Sequence, residues 1–306
     1  MRVFDPERLE RVLQRVPGVA GQAYSVTELE RGLSNSNLKV SAEDGYTVVV
    51  RLWAPGDTVW IDRDAEQVNS RRAAATGVAP PVIAYVPDEG ALVTGFVVGR
   101  TLSPVDLTDE DTLVRVAAAC RTLHAGQSFV SSWDVFAVQR SYLDIVRERG
   151  FRLPDGYEEY VSQVAEVERA VGVRADRQVP CNNDLVAANL LDDGEQIWLI
   201  DYEYAGDNDP CFELGNLWAE STLSLDRLEV LVDSYYGYPL QHATARARLF
   251  GLMANYSWPL WASIQATTSD LDFDFWTWGV SKYERAVAEF DGSGFGRLLE
   301  EATLPA

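Results

Sequence analysis

Cysteine, histidine and lysine are all scarce in this chain of 306 residues. The three cysteines, Cys120, Cys181 and Cys211, are odd in number and lack the spacing of metal ligands. This argues against a disulfide framework and favours three small core residues. The two histidines, His124 and His242, lie far apart in the sequence. A metal centre built on histidine and a Ser-His-Asp triad are therefore both disfavoured.

Long apolar runs and a net positive charge are also missing. No apolar segment approaches the roughly 20 residues needed to span a bilayer, and the charged start MRVFDPERLE differs from a signal peptide. We therefore expect a cytoplasmic protein without membrane insertion. The formal net charge of −21, with a pI near 4.4, would repel nucleic acid, which is not an expected partner. Any polyanionic substrate needs a local cationic site, and only Lys39 and Lys282 are lysines.

The hydrophobic pattern changes along the chain from strands to helices. A helix is expected from about residue 6, and QAYSVTEL, NLKVSA and YTVVVRLWA follow as an antiparallel meander. A helix at DRDAEQVNSRRAAATG and a hairpin turning at DEG complete a small β-rich lobe, residues 1–97. The remainder, 98–306, is mainly helical, so the predicted class is α+β with two lobes. Helices are expected at 107–124, 136–149, 156–171, 212–237, 242–268 and 276–290.

The segment NNDLVAANLLDDGEQIWLIDYEYAG places three oxygen-bearing side chains around two short strands. Asp184 and Asn189 are five residues apart, and Asp201 follows the apolar strand IWLI. Phosphoryl transfer needs a base at the accepting hydroxyl, oxygen ligands for Mg²⁺ and a cation on the phosphates. These three side chains can supply the base and the metal ligands. Such residues also occur by chance in turns, so the pattern alone leaves an ordinary loop open.

The surrounding sequence resembles the choline/ethanolamine kinase-type phosphotransferases, relatives of the aminoglycoside phosphotransferases with a protein-kinase-like fold. NNDLVAANLL and IDYEYAGDNDPCFELGNL are similar to that family's catalytic and metal-binding signatures. GLSNSNLKV resembles its phosphate loop, VVVRLW its nucleotide-site strand and VTGFVVGRTL its hinge. The resemblance extends over about residues 31–285. It implies an ATP- and Mg²⁺-dependent kinase with a small antiparallel N-lobe and a larger helical C-lobe.

Carried over position by position, the resemblance assigns a role to each site residue. Asp184 would orient and deprotonate the substrate hydroxyl, and Asn189 and Asp201 would bind Mg²⁺. Arg51 would take the place of the strand lysine of protein kinases, with Glu66 as its partner on a helix. The nucleotide site would be completed by three residues of the phosphate loop: Ser34, Asn35 and Asn37.

The acceptor site is expected to recognise a small cationic alcohol. An aromatic ring attracts an ammonium group through its quadrupole without requiring hydrogen bonds. Trp258 and Trp261 are three residues apart in YSWPLWASIQ, a segment that resembles the tryptophan-bearing wall of the family's choline site. Glu220 falls where the family places an acidic group facing the ammonium. Rings at helical spacing are also typical of an ordinary core, and Pro259 between them can kink the helix.

Two other functions are open at the level of the sequence. A larger hydroxylated cation such as an aminoglycoside would require several more carboxylates and fewer aromatic rings. The second alternative is a kinase-fold protein that binds its ligands without turnover, because Asn182 stands where the family has a histidine. Asparagine can donate and accept hydrogen bonds, so the exchange is compatible with activity. The sequence does not determine the identity of the acceptor or the oligomeric state.

Overall fold

The computed structural model describes most of the chain, in four ranges: residues 5–29, 35–53, 61–269 and 271–305. Ser34 lies outside these ranges, and of Asn35 only the backbone is described. The assignments of both residues to a phosphate loop therefore stay predictions. Within the four ranges, no helix is both long enough and apolar enough to cross a membrane.

Five strands near the amino terminus form one antiparallel sheet in the order β1-β2-β3-β5-β4. The apolar side chains of β2 and β3, including the fully buried Val48 and Val50, share a core with helix α1 (Pro6–Leu13). Half-buried and buried residues alternate over the first four residues of β3, as in a strand with one covered face, and its last four residues are all buried. The predicted meander and hairpin are both confirmed. The strands are β1 (Tyr24–Glu28), β2 (Asn35–Ala42), β3 (Thr47–Trp53), β4 (Val82–Val86) and β5 (Ala91–Gly95).

Helix α2 (Arg63–Ala75) lies between β3 and β4 in the chain and confirms the predicted inserted helix. Asp62 caps it by accepting hydrogen bonds from the backbone of the first turn. The buried residues of α2 include charged and polar side chains, Arg63 and Glu66 among them. Charged residues are rarely buried without partners, so this face of α2 points to a polar site. The β4-β5 hairpin turns at Gly90, whose φ of 60° favours glycine.

The rest of the chain is mainly helical, as predicted. The long helix α8 packs against helices α4, α6, α7, α9 and α10, and most of its residues are buried. The α+β class is thus confirmed, while the boundary between residues 97 and 98 stays a prediction. The helices are α3 (Glu110–His124), α4 (Val135–Arg149), α5 (Val161–Val173), α6 (Pro210–Glu220), α7 (Leu225–Tyr236), α8 (Gln241–Thr268), α9 (Phe275–Phe290) and α10 (Phe295–Ala302).

Two features of the helical part differ from the sequence-based expectation. The single helix expected at 212–237 is two helices, α6 and α7. The break contains Thr222 in the left-handed region, with φ 52°, and no glycine or proline marks it in the sequence. Helix α10 was not expected; it begins inside the segment GSGFG, and its apolar residues Leu298 and Ala302 are buried.

Short strands place the two loops that carry the predicted site residues. β6 (Arg100–Thr101), β8 (Leu190–Asp192) and β9 (Ile197–Leu199) form a three-stranded antiparallel sheet. β7 (Val179–Cys181) pairs with β10 (Gly206–Asn208). The expected pair of strands around DDGE is therefore confirmed as β8 and β9. One loop runs from β7 to β8, and the other from β9 to β10.

Helix α6 approaches α8 backbone to backbone. A Cβ atom at Gly215 would overlap the carbonyl oxygen of Ala247, and one at Gly251 would lie 2.6 Å from the carbonyl oxygen of Gly215. Only glycine fits such a crossing. Gly215 belongs to the FELGNL motif, so this close approach holds the neighbouring Glu213 and Asn216 next to the loops of the site.

Candidate active site

The loop between β7 and β8 is fixed by a buried carboxylate of α6. Glu213 accepts hydrogen bonds from the backbone N–H groups of Asn182 and Asn183, at 2.9 and 2.7 Å. Its side chain is fully buried, so each oxygen needs such a partner. Asn183 is in the left-handed region with φ 65°, which asparagine tolerates better than most residues. The backbone immediately before Asp184 is therefore held in one conformation.

Asn182 connects this loop to the loop that follows β9. Its Nδ2 donates to the carbonyl oxygens of Ile200 and Asp201, at 3.1 and 2.8 Å. Its Oδ1 accepts from the backbone N–H of Asp184 at 3.0 Å. One buried amide thus makes three hydrogen bonds that join the segments carrying Asp184 and Asp201.

Asp184 and Asn189 lie side by side, although five residues separate them. The 3-10 turn Ala187–Asn189 brings the second residue back towards the first. Asn189 Nδ2 donates to the carbonyl oxygen of Asp184 at 2.8 Å and lies 3.5 Å from its Oδ2. Amide and carboxylate oxygens are hard ligands of the kind that Mg²⁺ prefers.

Asp184 is in a strongly negative environment. Burial raises the pKa of its carboxyl group well above the ordinary value, and the carboxylates of Asp201, Glu203 and Glu220 raise it further. The ammonium group of Lys282 lowers this pKa in part. A carboxylate with a raised pKa binds a proton more strongly than an ordinary aspartate, which suits a general base. The same negative field attracts cations.

Asp201 follows β9 in the left-handed region, with φ 63°. Its carboxylate forms an ion pair with Arg51 of β3, and Arg51 also pairs with Glu66 of α2. Burial alone would lower the pKa of Arg51, but Asp201 and Glu203 outweigh it, so the guanidinium keeps its charge. The structure therefore brings Arg51, Glu66 and Asp201 into one network, as expected for a nucleotide and metal site.

Sequence reasoning missed two members of this network, Arg63 and Glu203. Arg63 Nη1 lies 2.7 Å from Glu66 Oε2 and 3.3 Å from Glu203 Oε2. Its guanidinium also lies 4.9 Å from the centroid of a ring of Trp53. A signal was present, because Arg63 and Glu66 are three residues apart on a helix and face the same side. Glu203 follows Asp201 by two residues, within the IDYEYAG motif.

Asn37 is the third predicted member of the phosphate loop and is part of strand β2. It pairs directly with Arg51 of β3, and directly paired residues project from the same face of a sheet. Asn37 is half-buried. The structure thus places Asn37 next to the predicted phosphate cation, while its contact with a nucleotide stays a prediction.

Trp258 and Trp261 meet on α8, with ring centroids 6.5 Å apart in an edge-to-face arrangement. The helix continues through Pro259. Trp258 is buried, and its Nε1 donates to Asn216 Oδ1 at 3.3 Å. Asn216 Nδ2 in turn donates to the carbonyl oxygen of Leu185 at 3.3 Å. Trp258 is thereby linked to the loop of Asp184 through α6 and is packed as a core residue.

Trp261 is half-buried and extends the aromatic cluster to helix α9. Its ring centroid lies 5.6 Å from that of Phe275 and 5.8 Å from that of Trp278. Gly279 permits this packing, because a Cβ atom there would lie only 2.6 Å from the Cβ atom of Ala262 and 3.3 Å from the Cα atom of Pro259. The two helices therefore touch beside the proline, and aromatic rings from both form one wall.

Glu220, at the end of α6, carries an ion pair that the sequence did not predict. Lys282 of α9 donates to its Oε1 from a distance of 2.6 Å. The Lys282 Nζ atom also lies 4.5 Å from the centroid of the Trp278 ring. Trp278 and Lys282 are four residues apart and so share a helix face. That spacing could have predicted the contact between Trp278 and Lys282. No sequence pattern could have predicted the ion pair between Lys282 and Glu220.

His124 packs against Glu213 and Cys181, at the start of the loop between β7 and β8. Its Nδ1 shares a hydrogen bond of 2.8 Å with the hydroxyl of Tyr235, and its Nε2 lies 3.5 Å from Glu213 Oε1 and 3.6 Å from Cys181 Sγ. These contacts agree with a packing role next to Glu213. All three cysteines are buried free thiols, as the sequence predicted.

Comparisons with known proteins bear on the family and on the fold. Residues 26–235 match the sequence profile of the choline/ethanolamine kinase family. Protein LicA of Haemophilus influenzae is 25% identical over 248 residues, which cover 76% of this chain and 71% of that protein. Among solved structures, a choline/ethanolamine kinase family protein from Mesorhizobium loti shares 28% identity with a TM-score of 0.85, covering 98% of this chain and 99% of that one.

The fold is also that of choline kinase LicA from Streptococcus pneumoniae. That structure has a TM-score of 0.77 at 21% identity, with 92% of this chain and 98% of that chain covered. The predicted resemblance and the predicted protein-kinase-like fold are therefore confirmed. A small antiparallel sheet followed by a helical part, with a polar site where the two meet, is the architecture that this fold requires.

Proposed function

Because the chain belongs to the choline/ethanolamine kinase family, and is thus a phosphotransferase with an alcohol group as acceptor, we propose that it is an ATP- and Mg²⁺-dependent kinase for a small amino alcohol. Choline and ethanolamine are the first candidates, and transfer from ATP to the hydroxyl is direct. The observation that carries the proposal is the convergence of Asp184, Asn189, Asp201 and Arg51 from separate segments. Phosphoryl transfer depends mainly on such positioned charges.

Asp184 would hold the acceptor hydroxyl and take its proton. The raised pKa of its carboxyl group supports this role, since a general base must bind the proton that it removes. The loop is already fixed by Asn182 and Glu213, so little reorganisation is needed when substrate binds. The three hydrogen bonds of Asn182 favour a working enzyme over a silent ligand-binding protein, because the loops stay joined without a histidine.

Asn189 and Asp201 would hold Mg²⁺. Their donor set fits the ion, because one amide and one carboxylate give hard oxygen ligands on loops that Asn182 joins. When bound, Mg²⁺ would supply charge neutralisation at the nucleotide phosphates. Arg51 would bind phosphate oxygens through its fork of donors, with Glu66 keeping the guanidinium in place. Asn37, beside Arg51, would line the same site.

The acceptor would lie between Asp184 and the aromatic wall of α8 and α9. A small ammonium group suits this wall, because Trp261 and Trp278 present polarisable faces and Glu220 adds a negative charge. Trp258 would support the wall from behind, since it is buried and bonded to Asn216. An aminoglycoside kinase is the second candidate, but it needs carboxylates where this wall has rings.

The proposal can be tested by coupled ADP release with Mg-ATP against choline, ethanolamine, related amino alcohols and several aminoglycosides. Asp184→Asn should lower kcat by about 10²–10⁴-fold, the usual contribution of a general base. Asp88→Asn, in an exposed turn of the β4-β5 hairpin, is the matched control and should be unaffected. Wild-type protein that binds Mg-ATP but phosphorylates none of these alcohols would overturn the proposal.

A further inference from the structure

The place expected for the acceptor's ammonium group is shared with an ammonium group of the chain itself. Lys282 Nζ lies 2.6 Å from Glu220 Oε1 and 4.5 Å from the centroid of the Trp278 ring. A carboxylate and an aromatic face are the partners that a bound ammonium ion would use. Lys282 therefore carries the same charge as the acceptor and contacts the same groups.

Lys282 is too deeply buried to be displaced easily. Its side chain is 2% exposed, against 11% for Glu220. Burial lowers the pKa of Lys282, and the adjacent Glu220 acts against that change. Removing one partner of a buried ion pair leaves an uncompensated charge in a poorly solvated place, which is strongly unfavourable. An incoming cation must therefore share Glu220 with Lys282 instead of replacing it.

The pair also belongs to the aromatic wall proposed for the acceptor. Its carboxylate lies at the end of α6 and its ammonium group on α9, the helix that carries Trp278. Trp278, which Lys282 covers, is 5.8 Å from Trp261 in the aromatic wall. The ion pair is thus part of the acceptor site and not a remote surface contact.

We infer that Lys282 is a specificity-determining residue that selects an acceptor with a primary ammonium group, such as ethanolamine, over a quaternary one such as choline. The inference deepens the proposed function and rests on it. A primary ammonium group has three N–H donors and can bond to the carboxylate that Lys282 already uses. A trimethylammonium group has no donor, so its repulsion from Lys282 is not offset by a hydrogen bond.

The test is a binding measurement, independent of turnover. Dissociation constants of choline and ethanolamine are measured by calorimetry for wild-type protein and for Lys282→Met, which keeps the length of the side chain and removes its charge. The ratio of the choline to the ethanolamine dissociation constant should exceed one in wild-type protein. It should fall by about tenfold or more in the variant, since removing one nearby like charge has effects of this order.

Two further variants complete the test: one is a charge control, and the other replaces Lys282→Met if that variant does not fold. Arg285→Met removes a positive charge from the same helix, one turn away, where the guanidinium bonds to Thr222 and not to Glu220. It should change the ratio by less than about twofold, against about tenfold for Lys282→Met. If Lys282→Met does not fold, the double variant Glu220→Gln with Lys282→Met buries no unpaired charge. The double variant should also lower the ratio, because it removes both the repulsion and the acceptor of the primary amine.

The outcomes separate this inference from the proposed function. A ratio that changes less than about twofold in Lys282→Met, or in the double variant if Lys282→Met does not fold, would overturn the role of Lys282. A wild-type preference for choline, or absence of binding by both amines, would overturn it as well. If both amines bind with the expected ratio and neither is phosphorylated, the role of Lys282 in selecting a ligand holds and the proposed kinase activity fails.

Discussion

Arg51 of the five-stranded sheet and Asp201 of the helical part form an ion pair, although 150 residues separate them in the chain. The pair joins the cation proposed for the phosphates to a carboxylate proposed for the metal. Each neutralises the other, and Glu66 holds the guanidinium from its other side. Binding of Mg-ATP would give both groups new partners of opposite charge, so nucleotide and metal should bind in a mutually dependent way.

Arg51→Met should raise the KM for ATP by roughly 10–100-fold. A hydrogen bond to a charged group contributes about 1.5–3 kcal/mol, and the variant removes those that Arg51 would donate to phosphate oxygens. Steady-state kinetics at fixed acceptor concentration measure the effect. Arg11→Met is the matched control, because Arg11 forms an exposed ion pair with Glu89. Equal KM values for wild type and Arg51→Met would exclude Arg51 as the phosphate cation.

Asn182→Ala should lower kcat while Asn182→His should retain much of it. Alanine removes three hydrogen bonds that connect the loops of Asp184 and Asp201. We expect a loss of about 10–100-fold in kcat, since misplacement by about 1 Å has effects of this size. Thermal unfolding of both variants separates loss of stability from loss of positioning. An alanine variant with wild-type kcat would show that the loops need no such link.

Gly215→Ala should lower the free energy of unfolding by about 3 kcal/mol or more, as strong overpacking does. The added methyl group would overlap the carbonyl oxygen of Ala247, and neither helix backbone can move aside easily. Gly172→Ala is the matched control, because a Cβ atom there meets no atom within 4 Å. That change should leave stability unchanged or raise it by about 0.5–1 kcal/mol. Urea titrations measure the free energy of unfolding of both variants. Equal values would contradict the close approach of α6 and α8 at Gly215.

The three cysteines should resist iodoacetamide in the folded protein at pH 8. Burial raises the pKa of Cys120 and Cys181 well above the ordinary value, and it raises the pKa of Cys211 in the same direction. The thiolate is the reactive form, and a raised pKa keeps it scarce as the pH rises to 8. Intact mass should show no added label before denaturation and three labels after it. Rapid labelling of folded protein would contradict the burial of the three thiols.

Much of the site was predictable because its residues occur in short contiguous motifs. Asp184, Asn189 and Asp201 follow one another within 18 residues, around strands whose apolar pattern is plain. Arg51 was found because its strand is β-branched and its neighbours resemble a known motif. Local spacing carries this information, so the sequence alone was enough to group these residues and to give the fold class, while their catalytic and metal-binding roles stay predictions.

What was missed depends on distant parts of the chain. The pairing of Glu220 with Lys282 arises where α6 meets α9, 62 residues apart, and no local pattern reports such a contact. The break between α6 and α7 carries no glycine or proline to mark it, and its left-handed residue is Thr222, where glycine would be usual. Tertiary packing decided both features over local propensity.

The burial of Lys282 has a practical consequence for chemical labelling. The chain has only two lysines, and with one enclosed between α6 and α9, Lys39 is the accessible lysine of the described surface. It lies on β2, two residues from Asn37, with its Nζ 4.2 Å from the centroid of the Phe96 ring. An amine-reactive fluorophore attached to Lys39 would therefore lie beside the proposed nucleotide site of the unmutated protein, where its emission can report the arrival of ATP.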